Sequence, residues 1–374
     1  MVKRCHGLGY LLRSRLRPKA NGIEIPPLAA PNRKSLPLRG MDCVRWAARL
    51  AGMYLPIPAR MAKHVRAIPV IHMKGSMLAG LITLSQRTPF RGRGGYGVTE
   101  AQRSTVDPTI RFRQAIAEAA SVGRFYNFFA DLPESLRGKT VLDFGCGYGG
   151  KTVEFARWAA RVCGIEPYSN MVALAREYAR HVGSLNAEFE LCGQDAIPYP
   201  DGAFDVVPSH DVLEHVDNPD TSLKEIARVL KPGGIAYIVF PPYDGAFSHH
   251  LDYITLLPGL HWFFRPHTLI ETVNSLLAEN DAYGTSQQPE PRRSWSGERY
   301  VLPGLNGLTS RQFKVLAQKC FAHHSTVHKP IGFGAQSKAA RGVAFALSPL
   351  MRIPGVNERL SISIAAVLKK AGRA

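Results

Sequence analysis

The chain has 374 residues, enough for one large decorated domain or two domains. With 45% hydrophobic and 20% charged residues it can bury a substantial core, which excludes wholesale disorder. The net charge of +18 is uneven: residues 1–100 hold 18 basic and 3 acidic side chains, while the other 274 hold 29 and 26, so a nucleic-acid reading needs the N-terminal segment as its arm.

Residues 1–95 read as a basic, Pro/Gly-rich N-terminal extension. Its first 19 residues are Arg-rich and free of acid, as in a transit peptide, but lack the apolar core and cleavage site of a secretory signal, so a loose basic leader is the simpler reading. Residues 42–53 form a short helical candidate, and the run Arg91-Gly92-Arg93-Gly94-Gly95 is too Gly-rich to hold a helix. After Asp107-Pro108 a helical pattern runs over 112–129 and stops near Leu132-Pro133. From Thr140 short apolar runs alternate with amphipathic segments: strands are predicted at 141–144, 162–165, 187–191, 204–208 and 235–240, and helices at 151–160, 170–182 and 220–230. Continuous apolar strands separated by helices indicate a parallel sheet covered on both faces, a doubly wound α/β domain with ligands at the carboxyl ends of its strands. Pro208 donates no ladder hydrogen bond, which predicts an early end to the fourth strand. Beyond 240 come an aromatic-rich stretch (241–267), helices at 269–277 and 310–320, a polar loop over 281–308, and two closing strands at 326–331 and 361–368. The domain is expected to span 96–374, with its core at 140–240 and a substrate lid and closing strands at 241–370.

The six cysteines, Cys5, Cys43, Cys146, Cys163, Cys192 and Cys320, form no C-x-x-C pair, which points to a reduced cytoplasmic protein without structural zinc. The longest apolar stretches, 68–84 and 254–264, fall short of the ~20 residues of a membrane span.

The first strand runs into Asp143-Phe144-Gly145-Cys146-Gly147-Tyr148-Gly149-Gly150, in which Gly145, Gly147 and Gly150 satisfy G-x-G-x-x-G. A dinucleotide site has the same pattern, with Glu166 at about the right distance to hold a ribose. Asp143 discriminates: a carboxylate at that position repels a pyrophosphate and suits a ligand carrying an ammonium and a sulfonium. Glu166 ends the second strand, Asp195 the third, His210-Asp211-Val212-Leu213-Glu214-His215 follows the fourth, and Lys231-Pro232-Gly233-Gly234 precedes the fifth.

At these residues the sequence resembles the class I S-adenosylmethionine-dependent methyltransferases, specifically the type 11 methyltransferase domain group, which includes quinone-biosynthesis enzymes. The resemblance covers 140–240. It implies a Rossmann-like seven-stranded sheet and S-adenosyl-L-methionine as cofactor. It further implies that Asp143, Gly145, Cys146, Gly147 and Gly149 hold the methionine part, Glu166 the ribose, Met171 one face of the adenine, and Asp195 with Ala196 its edge. His210 and Asp211 are implied near the sulfonium.

Acceptor chemistry is less legible. His210, His215, His249, His250, Asp252 and His261 fall where the substrate side of the cleft should form, and His210, His249 and His250 are the candidate catalytic bases. No metal site is expected, because the tandem His249-His250 cannot aim both rings at one ion from an extended chain. Phe240-Pro241-Pro242-Tyr243 follows the fifth strand rather than the fourth, and Phe240 cannot hydrogen-bond through its side chain, so it reads as a turn rather than an amino-methylating motif. The apolar stretch 254–264 is either core cover or a lid around an apolar substrate or against a membrane surface. The favoured reading is a small-molecule methyltransferase acting on a hydroxyl of an apolar or lipid-like acceptor. The alternatives are an RNA methyltransferase using the basic leader, a nicotinamide-dependent oxidoreductase, and a catalytically silent binding protein on the same fold.

Overall fold

The computed structural model describes residues 75–88, 107–193, 196–279, 287–333 and 338–372. The expected leader through residue 74, its 42–53 helix, the 91–95 glycine run and Asp195 lie outside the described residues.

Helix α1 (Gly75–Ser85) comes first, followed by α2 (Pro108–Arg111), α3 (Arg113–Phe128) and α4 (Leu132–Leu136). Then the alternation begins: β1 (Thr140–Phe144), α5 (Gly150–Ala156), β2 (Arg161–Glu166), α6 (Ser169–His181), β3 (Ala187–Leu191), β4 (Phe204–His210), α7 (Pro219–Val229) and β5 (Leu230–Phe240). After α8 (Leu260–Phe263) and α9 (Pro266–Glu279) come a hairpin of β6 (Arg292–Arg293) and β7 (Tyr300–Val301), then α10 (Ser310–Cys320) and β8 (His323–Pro330). Helices α11 (Lys338–Leu347) and α12 (Val356–Leu360) lead into β9 (Ser361–Lys369).

Seven strands form one sheet in the order β3-β2-β1-β4-β5-β9-β8, parallel except for β9, which runs antiparallel to both of its neighbours. Side chains alternate between two cores, as a two-residue period requires. Leu142, Phe144, Ile238, Phe240 and Ile364 meet Ile226 of α7 and Phe313 of α10 on one face. Val141, Val162, Tyr237, Val239 and Ala365 meet Phe125, Leu132 and Phe155 on the other. The Tyr237 hydroxyl pairs with Ser135 Oγ at 2.8 Å and donates to Asp131 Oδ2 at 2.9 Å, so its burial leaves no polar group unsatisfied.

Three expectations need correction. Strand β4 does not end early at Pro208: its register with β5 continues through His210↔Val239, while the recorded pairing with β1 is confined to Val141↔Val206. Helix α5 stops at Ala156 rather than 160, because the Asn186 side-chain amide donates to the carbonyls of Ala156 and Ala159 at 2.8 and 3.0 Å. The boundary at 95 cuts into the folded body. Leu78 and Ile82 of α1 are fully buried in a second core with Leu269 and Val273 of α9, and Gln86 Nε2 donates to Ile254 O at 2.6 Å. That second core also consumes Leu251, Ile254, Leu260 and Phe264, so much of the apolar 254–264 stretch is core cover. Among the described residues, no helix is long and apolar enough to cross a membrane.

Candidate active site

The strand order reverses between β1 and β4, and a cleft of about 610 Å3 opens at the carboxyl ends of the parallel strands there. Asp143, Gly145, Cys146 and Gly147 line it from the β1 end. Glu166 and Met171 line it from the β2–α6 side, with Ala196 beyond β3 and His210 and Asp211 from the end of β4. Gly149 is not among the lining residues; at φ +82° it turns the chain into α5, and a Cβ there would lie 2.7 Å from the Phe189 ring.

The loop is held from behind by a residue that sequence reasoning missed. Glu118, on α3, accepts from the backbone N–H of Tyr148 at 3.1 Å and of Gly150 at 3.0 Å, and its side chain lines the cleft. Close packing makes this possible: a Cβ on Gly150 would fall 2.0 Å from Ala115 O, and one on Gly147 would fall 2.7 Å from Glu118 Oε1. No local signal marks Glu118, since it is one acid among several on an amphipathic helix.

Three carboxylates therefore ring the glycine loop. Asp143, 4% exposed, accepts from Thr152 Oγ1 at 2.6 Å, and burial pushes its carboxyl up to about 6 against that hydrogen bond and Lys151. Burial likewise pushes Glu118 up to about 7, opposed by Lys151 and the two amides. Glu166, 7% exposed, accepts from Gly147 N at 3.2 Å and is also raised by burial. Removing carboxylates from water favours the neutral acid unless a cation arrives, so this end of the cleft is prepared for positive charge. Two of the N–H groups around the start of α5 that could otherwise cradle a phosphate, those of Tyr148 and Gly150, are already taken by Glu118.

On the β4 side, the His210 ring stacks on Phe125 with centroids 4.8 Å apart and planes 10° from parallel. Burial lowers its pKa to about 4, so it is a neutral imidazole at pH 7. Its Nδ1 is buried without a partner, and its Nε2 lies 3.5 Å from Asp211 Oδ2. For Asp211, burial acts upward, but His210 and Lys151 outweigh it and hold the carboxyl below its ordinary value.

The tandem histidines separate. His249 is 1% exposed, with Nε2 2.9 Å from Leu257 O and Nδ1 accepting from Leu251 N at 3.0 Å. With both nitrogens bound to backbone it cannot serve as a base, which corrects its assignment as a catalytic residue. His250, at φ +51°, turns the other way and meets His215 edge-on, with centroids 5.1 Å apart. His215 lines the cleft; His250 sits behind it.

Residues 142–238 match a family model described as a methyltransferase domain. An uncharacterised methyltransferase of Schizosaccharomyces pombe is 38% identical over 102 residues, covering 25% of this chain and 37% of the relative. A ubiquinone biosynthesis O-methyltransferase of Sodalis glossinidius is 37% identical over 99 residues, 26% of this chain and 40% of the relative. A sterol 4-C-methyltransferase of Caenorhabditis elegans is 32% identical over 133 residues, 32% of this chain and 39% of the relative. The chain thus spans about two fifths of the length of these relatives. Residues 142–238, which carry the glycine loop, Asp143 and Glu166, form a methyltransferase domain of the class I S-adenosylmethionine-dependent type.

Proposed function

We propose that the protein transfers the methyl group of S-adenosylmethionine to a hydroxyl of a small, largely apolar acceptor. The observation that carries this reading is the ring of Asp143, Glu118 and Glu166 around a loop in which the amides of Gly147, Tyr148 and Gly150 already donate to two of these carboxylates. When bound, S-adenosylmethionine supplies an electrophilic methyl on a sulfonium. The cleft fits its groups: Asp143 and Glu118 face an ammonium, Glu166 accepts from the two ribose hydroxyls, and Met171 and Ala196 flank the adenine. A Cβ at Gly147 would fill the cradle. A dinucleotide's pyrophosphate would meet the carboxylates of Asp143 and Glu118 here and find the Tyr148 and Gly150 N–H groups already taken.

Acceleration comes chiefly from holding the acceptor oxygen in line with the methyl, which can supply several kcal/mol of the barrier without a general base. His210, neutral and stacked in the cleft wall, is the histidine best placed to take the acceptor's proton. With burial holding its pKa to about 4, the acidic limb of the rate profile falls near pH 4 rather than at the pH ~6 of an ordinary imidazole. The apolar part of the reading draws on Val212 and Val216 in the cleft lining, and the O-directed part on the Sodalis relative, whose name specifies an O-methyltransferase. The sterol relative's name specifies carbon as the acceptor. The test is to incubate the full chain with methyl-labelled S-adenosylmethionine and fractionated cell extract. Label is expected in organic-soluble compounds as a base-stable methyl ether. Label in RNA, or on carbon, overturns the acceptor assignment.

A further inference from the structure

Beside the cleft, on the wall formed by the turn after β4, lies a cluster that the methyl-transfer reading leaves unused. Glu214, His215 and His250 each offer a ligand atom, and these atoms all lie within 4.8 Å of one another. The Glu214 side chain is 5% exposed, and neither of its carboxylate oxygens has a hydrogen-bond partner. Leaving a buried carboxylate unpaired costs several kcal/mol, so a native fold keeps one only where something else satisfies it.

The nearest candidate partner within the protein does not suffice. His215 Nε2 is 3.7 Å from Glu214 Oε1, too far for a hydrogen bond. It is also aimed by its other nitrogen. Nδ1 lies 2.6 Å from Gly304 O, which can only accept, so Nδ1 carries the proton and Nε2 presents a lone pair towards Glu214. This is the arrangement by which metal-binding histidines are oriented: one ring N–H donates to a carbonyl and the other nitrogen coordinates.

The turn that carries two of the three groups is rigidly supported. Asn306, 1% exposed, donates from Nδ2 to Leu213 O at 2.7 Å and Val216 O at 2.8 Å, and its backbone N–H donates to Glu214 O at 2.8 Å. His250 arrives from a different loop and in a left-handed conformation. Among the described residues, only it and Asp211 adopt positive φ without being glycine, and both stand at this wall. Such strain, of order 1–3 kcal/mol per residue, persists where the surrounding structure fixes a side chain for a purpose.

We infer that Glu214, His215 and His250 bind a first-row divalent cation whose remaining coordination positions face the cleft. Two imidazoles and one carboxylate suit zinc, manganese or iron(II) better than magnesium or calcium, which prefer all-oxygen shells. In a tetrahedral site with ~2 Å bonds, ligand atoms stand roughly 3.3 Å apart, so modest closure of the present spacing completes the site. The expectation of no metal considered only His249 with His250; it is His250 alone that reaches the partners on the β4 turn. The cation site stands on this geometry by itself, while its use rests on the methyl-transfer reading. There, an acceptor hydroxyl binds at an open position, the oxygen–metal bond forms, the O–H bond breaks, and the proton passes to the neutral imidazole of His210.

The test uses the full chain, stripped with chelator and titrated calorimetrically with Zn2+ and with Mn2+, while S-adenosylhomocysteine binding is measured on the same samples. One cation per chain is expected, with Glu214→Gln and His250→Gln each weakening it at least tenfold and His324→Ala, on the exposed start of β8, leaving it unchanged. Cobalt added to the unaltered chain supplies a readout that needs no folded variant: visible bands of a four- or five-coordinate nitrogen-ligated ion are expected, and the spectrum of the hydrated ion alone overturns the site. Equal cation affinity in all three variants also overturns it. Failure of the unaltered chain to bind either cation, with S-adenosylhomocysteine binding intact, rejects the metal site and spares the methyltransferase reading; the converse rejects that reading and spares the site.

Discussion

Glu118→Gln removes one charge from behind the glycine loop while keeping the side chain's shape, and its effect should change with pH. Burial is the largest influence on this carboxyl and pushes it from 4.5 to about 7. A folded-state value above the unfolded one means that the native protein holds the proton more tightly. Its contribution to stability is therefore complete below about pH 4.5 and is lost as pH rises through 7. At ~1.4 kcal/mol per tenfold in proton affinity, the ionised carboxylate costs the native state on the order of 3 kcal/mol by pH 8. The amide escapes this cost but has one acceptor oxygen where the carboxylate uses two, Oε1 for Tyr148 N–H and Oε2 for Gly150 N–H, so one of these donors loses its partner, a loss of about 1–3 kcal/mol. The variant should thus unfold at lower urea than the parent at pH 5, by about 1–2 kcal/mol, and recover about 2–3 kcal/mol relative to the parent at pH 8. Because the ionised carboxylate also attracts the ligand's ammonium, S-adenosylhomocysteine affinity at pH 8 should fall roughly tenfold, the cost of about one hydrogen bond to a charged group. Urea unfolding at the two pH values, with calorimetry at pH 8, reads both effects. Equal destabilisation at pH 5 and pH 8 would refute the placement of a desolvated charge at Glu118.

Glu166→Ala should weaken S-adenosylhomocysteine by about 1–3 kcal/mol, the scale of lost hydrogen bonds to a charged group, and an unchanged dissociation constant would show that Glu166 does not hold the ribose. A chain beginning at residue 91 should melt below one beginning at residue 63, because it lacks Leu78 and Ile82, each fully buried and each contributing about 1.5–3 kcal/mol. Identical melting temperatures would place α1 outside the core.

The sheet between 140 and 240 was legible because β1, β2, β4 and β5 are largely buried and carry apolar runs, while the exposed edge strand β3 alternates Phe189 with Glu188 and Glu190. The far edge was not. Strand β8 begins three residues earlier than expected, at His323, because its first residues are exposed and carry no apolar period. The supposed polar loop over 281–308 conceals a hairpin and the buried side chains Val301, Leu302, Leu305 and Leu308. It is organised by Asn306 and by Arg292, which donates to Leu305 O at 2.8 Å; such side-chain-to-backbone bonds leave no periodic trace in a sequence. In the site, Asp143 and Glu166 could be located because they end strands. Glu118 could not, since only the close approach of α3 to Gly150 brings it to the loop. Neighbouring His249 and His250 look equivalent in sequence, and only the left-handed turn at His250 sends one to the backbone and the other to the cleft wall.

The most direct test of the central claim is calorimetric titration of the full chain with S-adenosylhomocysteine and, separately, with NADH. Saturable binding of the first at one site, with no heat from the second, is the result expected of a cleft ringed by Asp143, Glu118 and Glu166, in which Glu118 already accepts from the Tyr148 and Gly150 amides. Binding of NADH with comparable affinity, or no binding of S-adenosylhomocysteine, would contradict it.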